Sequence, residues 1–297
     1  MLKENLLQKD ESSSGLYFTF LVVFVVFVSA LFVAFTLSMG NLEELQSKTW
    51  YTFLSFSISP LLIIVFTLGF SYLKGENVLR CCSLQKADAK YYLFAIFAFV
   101  CVFFGLGNAN AAFVEFLTEK FGYEATQITL PDFSVGNYLL VILTVCVLPA
   151  MSEEIALRGV LLRGVKCGVL LKAVIGGLIF CLYHMSPMQT PYQFAVGFVF
   201  SLIAIKSGST IPTILAHFLN NFAIVTIEYF CPWLTLGQGG WMLAITIPAL
   251  VCFVAVIALL FMSDKKKEEK GNLKEFFLYS SFGIAICLIM WISSFLG

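Results

Sequence analysis

The chain has 297 residues, of which 60% are hydrophobic and 12% charged. A soluble domain carries roughly 25% charged residues, so half the usual charge cannot cover a 33.0 kDa globule in water. A soluble enzyme is excluded, disorder is excluded by 32 Phe, and 18 Lys+Arg against 18 Asp+Glu leave no net basic field to recruit nucleic acid.

Apolar runs of about 20 residues are helices able to cross a hydrocarbon core roughly 30 Å thick. In chain order the predicted elements are 16–38, 50–73, 91–114, 136–157, 168–184, 191–206, 209–229, 241–262 and 275–295. The runs at 168–184 and 191–206 are short, as in tilted, broken or re-entrant segments. Continuous runs without alternation exclude a β-barrel. The expected fold is therefore all-α, a polytopic transmembrane bundle of eight to nine helices. We read it as one membrane domain, 1–297, with no separable soluble part and no internal repeat. The first run is too long for a signal peptide, and no cleavage site clearly follows it.

The nine cysteines form no CxxC pair and mostly sit inside apolar runs. They are expected to pack as small hydrophobes rather than form a disulfide framework or a Cys-rich zinc site. Charge sets the orientation. With a cytoplasmic N-terminus and nine crossings, 16 Lys and Arg fall on one side. Only Lys48 and Lys120 fall on the other. The positive-inside rule is satisfied, and the protein is expected in the cell membrane with its C-terminus outside. The run KKKEEK at 265–270 reads as a solvated inside loop, and 115–135, with Glu115, Glu119, Glu124 and Asp132, as the longest outside loop.

Charged groups within membrane segments cost about 2.5–3.5 kcal/mol each on insertion scales, so each needs a reason. They concentrate between 150 and 230, with both histidines of the chain. In the run 149–159, Glu154 and Arg158 are i and i+4, acid before base, and can neutralise each other. Glu153, about 100° round the helix, has no such cation and is the acid free to act as a general base. His184 falls in the last turn of its helix, before Pro187. His217 and Asn221, i and i+4 on another helix, share a face, where the amide either fixes the ring or holds a polar substrate group. Taken singly, each cluster also reads as ordinary structure: a charged helix end, a capped histidine, an interhelical hydrogen bond. Together they place polar groups from three apolar helices in one bundle, which is how a bundle builds a buried site.

Glu153-Glu154-x-x-x-Arg158, Phe180-x-x-x-His184 and His217-x-x-x-Asn221, in that order, resemble the motifs of the CAAX prenyl protease and bacteriocin-processing (CPBP, or Abi) family of intramembrane endopeptidases. The resemblance covers about 136–230, leaving 1–135 and 231–297 as flanking helices; Leu157 stands where many members have an aromatic. It implies hydrolysis of a peptide bond in a membrane-associated protein or peptide, near the cytoplasmic side. It also implies that Glu153 activates a water that His184 helps position. His217 and Asn221 would stabilise the oxyanion, and Glu154 and Arg158 would support Glu153. Either no cofactor is needed, or Glu153, His184 and His217 hold a divalent metal such as zinc. The two histidines come from different helices rather than from one HExxH face, which favours the metal-free version. A non-catalytic immunity or scaffold protein on the same fold, and then a transporter, are the alternative functions.

The geometry contains a tension. At 1.5 Å per residue, His184 would stand about 24 Å from Gly168 and His217 about 12 Å into its helix, while Glu153 lies near an inner helix end. The three meet only if 159–172 lies largely outside the bilayer, or if the short helices tilt or break. Arg158, Arg163, Lys166 and Lys172, with three glycines among them, favour the first.

Overall fold

A computed structural model describes residues 10–40, 44–45, 47–124, 129–231, 241–264 and 269–296. Among these there is no strand, and the predicted helical bundle stands. Nine helices carry it: α1 (Asp10–Ser38), α2 (Thr49–Lys74), α3 (Ala89–Phe121), α4 (Val135–Gly164), α5 (Val169–Tyr183), α6 (Thr190–Ser207), α7 (Ile211–Phe230), α8 (Trp241–Met262) and α9 (Leu273–Leu296). All but α5 are long and apolar enough to cross a membrane. The predicted elements thus recur in order, with ends shifted by a few residues. The protein is a multi-pass membrane protein.

Small residues let the helices approach. A Cβ on Gly177 would lie 3.0 Å from the Phe194 carbonyl oxygen, and one on Gly197 2.9 Å from the Gly177 Cα, so α5 and α6 pack backbone to backbone as an antiparallel pair. With lipid as solvent, such close packing replaces the hydrophobic drive between helices. The first and last helices run parallel instead: Ser12 donates to Glu275 Oε2 at 2.6 Å, and Thr19 to the Tyr279 carbonyl at 2.6 Å. Among the described residues α1 and α9 thus start on the same side of the bundle, as nine helices alternating in direction would.

The helix ends at that side carry a belt of ion pairs. Lys166 meets Asp10 at 2.7 Å, Arg163 meets Glu76 at 2.6 Å, Lys172 meets Glu269 at 3.0 Å and Lys90 meets Asp264 at 2.6 Å. Lys206 donates to the Phe261 and Asp264 carbonyls. This basic face collects the residues that the charge count grouped together, apart from Arg158, which is buried within α4. Lys3, Lys9 and most of the 265–270 run (265–268) lie outside the described residues.

Two expectations are corrected. The stretch 159–172 is no exposed connection: α4 continues to Gly164 with Gly159, Val160, Leu161 and Leu162 buried, and only 165–168 breaks the helix. Apolar Val160, Leu161 and Leu162 bury their side chains against the bundle, and that outweighs the basic residues interspersed with them. Likewise the acidic connection after α3 begins only at Gly122, because Glu115 and Glu119 are still on the helix. All nine cysteines are unpaired.

Candidate active site

The depth tension resolves through helix length. Glu153 lies 11 residues before the end of α4, about 16 Å from the basic face at 1.5 Å per residue. His184, just past the 15-residue α5, stands about 22 Å from its start. The continuation of α4 to Gly164 closes most of the gap in depth, and the two side chains meet at 3.8 Å.

The backbone of α4 is not uniform. Six residues, Ile142–Val147, and eight residues, Glu154–Leu161, form π turns, which occur chiefly as local bulges at functional sites. The second begins at Glu154, so the two carboxylates stand on either side of a change in helical geometry. Between the π turns is Pro149, whose nitrogen has no hydrogen for the Val145 carbonyl. Asn221 supplies it: its Nδ2 donates to Val145 O at 3.1 Å, joining α7 to α4 where proline interrupts the ladder.

Glu154 is fully buried and completely engaged on one oxygen. Arg158 Nη1 donates to Glu154 Oε1 at 2.9 Å, and His217 Nδ1 donates to the same oxygen at 3.0 Å. The i, i+4 neutralisation expected from sequence is therefore present. The histidine, however, is oriented by Glu154 from another helix rather than by Asn221 on its own, because that amide is spent on the backbone of α4. The Arg158 guanidinium lies 3.9 Å over the Phe180 ring, a cation–π contact that shelters the buried cation. The same ring packs edge-on against His184 and His217, at centroid separations of 4.6 and 6.0 Å.

Glu153 is placed differently. Its Oε2 is buried without a hydrogen-bond partner among the described residues and lies 3.8 Å from His184 Nε2. His184 Nδ1 is 2.8 Å from the Phe180 carbonyl, an acceptor only, so this nitrogen carries the hydrogen and a neutral ring turns a bare Nε2 towards Glu153. After His184, Met185 takes φ +50°. A non-glycine residue held there is strained, and it turns the chain sharply out of α5.

All six candidate residues thus lie in one region of the bundle, but as two linked sets: Glu153 with His184, and Arg158, Glu154 and His217 in a chain, with Asn221 one turn beyond. Two further polar residues escaped sequence reasoning. Tyr192 donates to Asn220 Oδ1 at 2.5 Å, and Asn220 Nδ2 donates to Asn221 Oδ1 at 3.3 Å, extending the network to α6. The adjacent amides Asn220-Asn221 in an apolar helix were a visible signal; Tyr192 carried none. Among the described residues no group of three or more His, Cys, Asp or Glu is gathered closely enough to hold a metal ion, and His217 Nδ1 is already given to Glu154.

Fold and site define a class: a polytopic helical membrane protein with a shielded carboxylate–histidine centre contributed by three helices. Residues 135–223, from the start of α4 well into α7, match the family model described as Type II CAAX prenyl endopeptidase Rce1-like. Over that stretch, less than a third of the chain, the protein is similar to a family of membrane proteases. No curated protein and no solved structure matches the chain.

Proposed function

We propose that the protein is an intramembrane endopeptidase that hydrolyses a peptide bond of a membrane-associated protein or peptide, with Glu153 as general base. The observation that carries this reading is the facing pair Glu153 Oε2 and His184 Nε2, 3.8 Å apart. With Nδ1–H given to Phe180, a neutral His184 and an ionised Glu153 present two acceptors to each other. A water set beside them, donating one hydrogen to each, satisfies both. Its oxygen lone pairs then point away, free to attack a carbonyl carbon.

In that step the new carbon–oxygen bond forms as the water proton passes to Glu153. The carbonyl becomes an oxyanion, and the same proton goes on to the leaving amine as the carbon–nitrogen bond breaks. Stabilising the oxyanion falls to His217 and Asn221. Asn221 keeps one N–H after bonding Val145 O. His217 can donate through Nε2 only as an imidazolium, since its Nδ1–H is held by Glu154 at 3.0 Å. Arg158, paired with Glu154 at 2.9 Å, holds that carboxylate in place against His217. No step uses a metal. The basic face is the cytoplasmic one under the positive-inside rule, which puts the N-terminus inside and the site about 16 Å beneath that face.

Expression of wild type and Glu153→Gln at equal levels in a host lacking the gene, followed by comparison of peptide termini in membrane and secreted fractions, tests this. Termini produced only by the wild type are expected, and they also give the cleavage sequence. Identical profiles from two folded, inserted proteins would overturn the hydrolase and leave a non-catalytic partner on the same fold.

A further inference from the structure

On the basic face a cavity of about 430 Å³ runs inward between the ends of α4, α5 and α6. Arg80, Arg158, Arg163 and Lys172 line it, with Glu269 as the one carboxylate among the described residues of the wall. Glu269 is paired with Lys172, and Arg163 with Glu76 and the Arg80 carbonyl. The Arg80 side chain makes no ion pair among the described residues. The decisive group is Arg158 at the inner end. Its side chain is 1% exposed. Nη1 is spent on Glu154, while Nε and Nη2 are buried with no hydrogen-bond partner among the described residues.

Nε and Nη2 form one edge of the planar guanidinium, a two-donor fork that fits two oxygens of a phosphate or carboxylate. Leaving such a fork buried and unmet is costly. Arg158 lines a cavity whose other cations, Arg80, Arg163 and Lys172, also favour an anion. The volume falls within the range of about 300–1,000 Å³ typical of small-molecule sites, larger than a bare ion needs.

We propose that this cavity is an anion-binding site that takes a phosphate group, two of its oxygens on the Nε–Nη2 edge of Arg158 and the remainder towards Arg80 and Lys172. The phosphate comes either from the headgroup of a lipid in the adjoining leaflet or from a soluble phosphate compound. Binding is read by the site beyond, because the opposite edge of the same guanidinium holds Glu154, and Glu154 holds His217.

The test uses the full chain in nanodiscs of neutral phosphatidylcholine and needs no cleavage assay, so it stands apart from the protease reading. Inorganic phosphate is titrated against chloride of equal ionic strength, and a parallel set of discs contains phosphatidic acid. The midpoint of thermal unfolding and native mass spectrometry are the readouts. A saturable rise in the midpoint is expected in at least one arm, weakened about tenfold in Arg80→Gln, the loss of one charge-assisted contact, and largely restored in Arg80→Lys. A response to inorganic phosphate marks a soluble ligand; a response to phosphatidic acid alone marks the lipid. No response in either arm, or a response unchanged in Arg80→Gln, would overturn the site. Arg80 is exposed and its backbone carbonyl, not its side chain, bonds Arg163, so the substitution leaves the fold's contacts in place.

Discussion

The helices α4 to α7 and the helix α8 solve opposite problems with similar apolar sequences. In α8 the most hydropathic window is 17% buried, and the described part of the helix holds no charged residue. In α4 and α6 the corresponding windows are 39% and 44% buried, and Glu153, Glu154, Arg158, His217 and Asn221 all project from α4 and α7. Where lipid is the solvent, a charge is tolerated only if other helices screen it from lipid and a partner neutralises it. Within the shielded region the same contrast appears between neighbours: each acid keeps one buried oxygen without a hydrogen-bond partner among the described residues, but Glu154 gives its other oxygen to Arg158 and His217, whereas Glu153 faces only His184, at 3.8 Å. Burial beside a fixed cation is structural, and burial without one is where chemistry is available.

The sharpest way to break that contrast is to disturb each acid in turn. Glu153→Gln should lower the rate of peptide hydrolysis by about 10²–10⁴-fold, the usual worth of a general base, with little change in thermal unfolding. Initial rates on the cleavage sequence found above would show it. Arg158→Met should do the reverse, stranding a buried carboxylate at a cost of about 3–5 kcal/mol. Denaturation in mild detergent should therefore show a large drop in stability, partly recovered by adding Glu154→Gln, which removes the stranded charge. Recovery would show that the pair, not either residue alone, is what the bundle tolerates.

Smaller effects test the joints between helices. Asn221→Ala leaves the Val145 carbonyl without its donor and should cost about 1–3 kcal/mol of stability, besides any loss of rate. If Asn221 served the oxyanion only, stability would not move. On the basic face, burial works to raise the Glu76 pKa, but Arg163 and Lys74 prevail and hold it below its ordinary value of 4.5. A depressed carboxylate contributes stability above its unfolded value and loses it as pH falls through the folded one. Acidification below about 4.5 should thus loosen the belt between α2 and α4 modestly, because these pairs are part-exposed and screened. Glu76→Gln should flatten that acid limb in a pH series of unfolding midpoints.

Much was readable without coordinates. Run length placed nine helices, because a span of fixed thickness demands a fixed number of apolar residues. The scarcity of intramembrane charge picked out Glu153, Glu154, Arg158, His184, His217 and Asn221, and i, i+4 spacing paired Glu154 with Arg158 and left Glu153 over. Those inferences rest on local periodicity, which the chain states outright. What the tertiary structure alone decided was how deep each group stands and what it faces. Hydropathy registered basic residues after Glu153 as a helix end, yet α4 runs on to Gly164 because its apolar neighbours bury there. Spacing put Asn221 beside His217, yet Pro149, on a different helix, draws the amide away and Glu154 orients the ring instead. Tyr192, Asn220 and the open edge of Arg158 became visible only once the helices were set against one another. Partners distant in sequence are fixed by packing, and packing depends on all the helices at once.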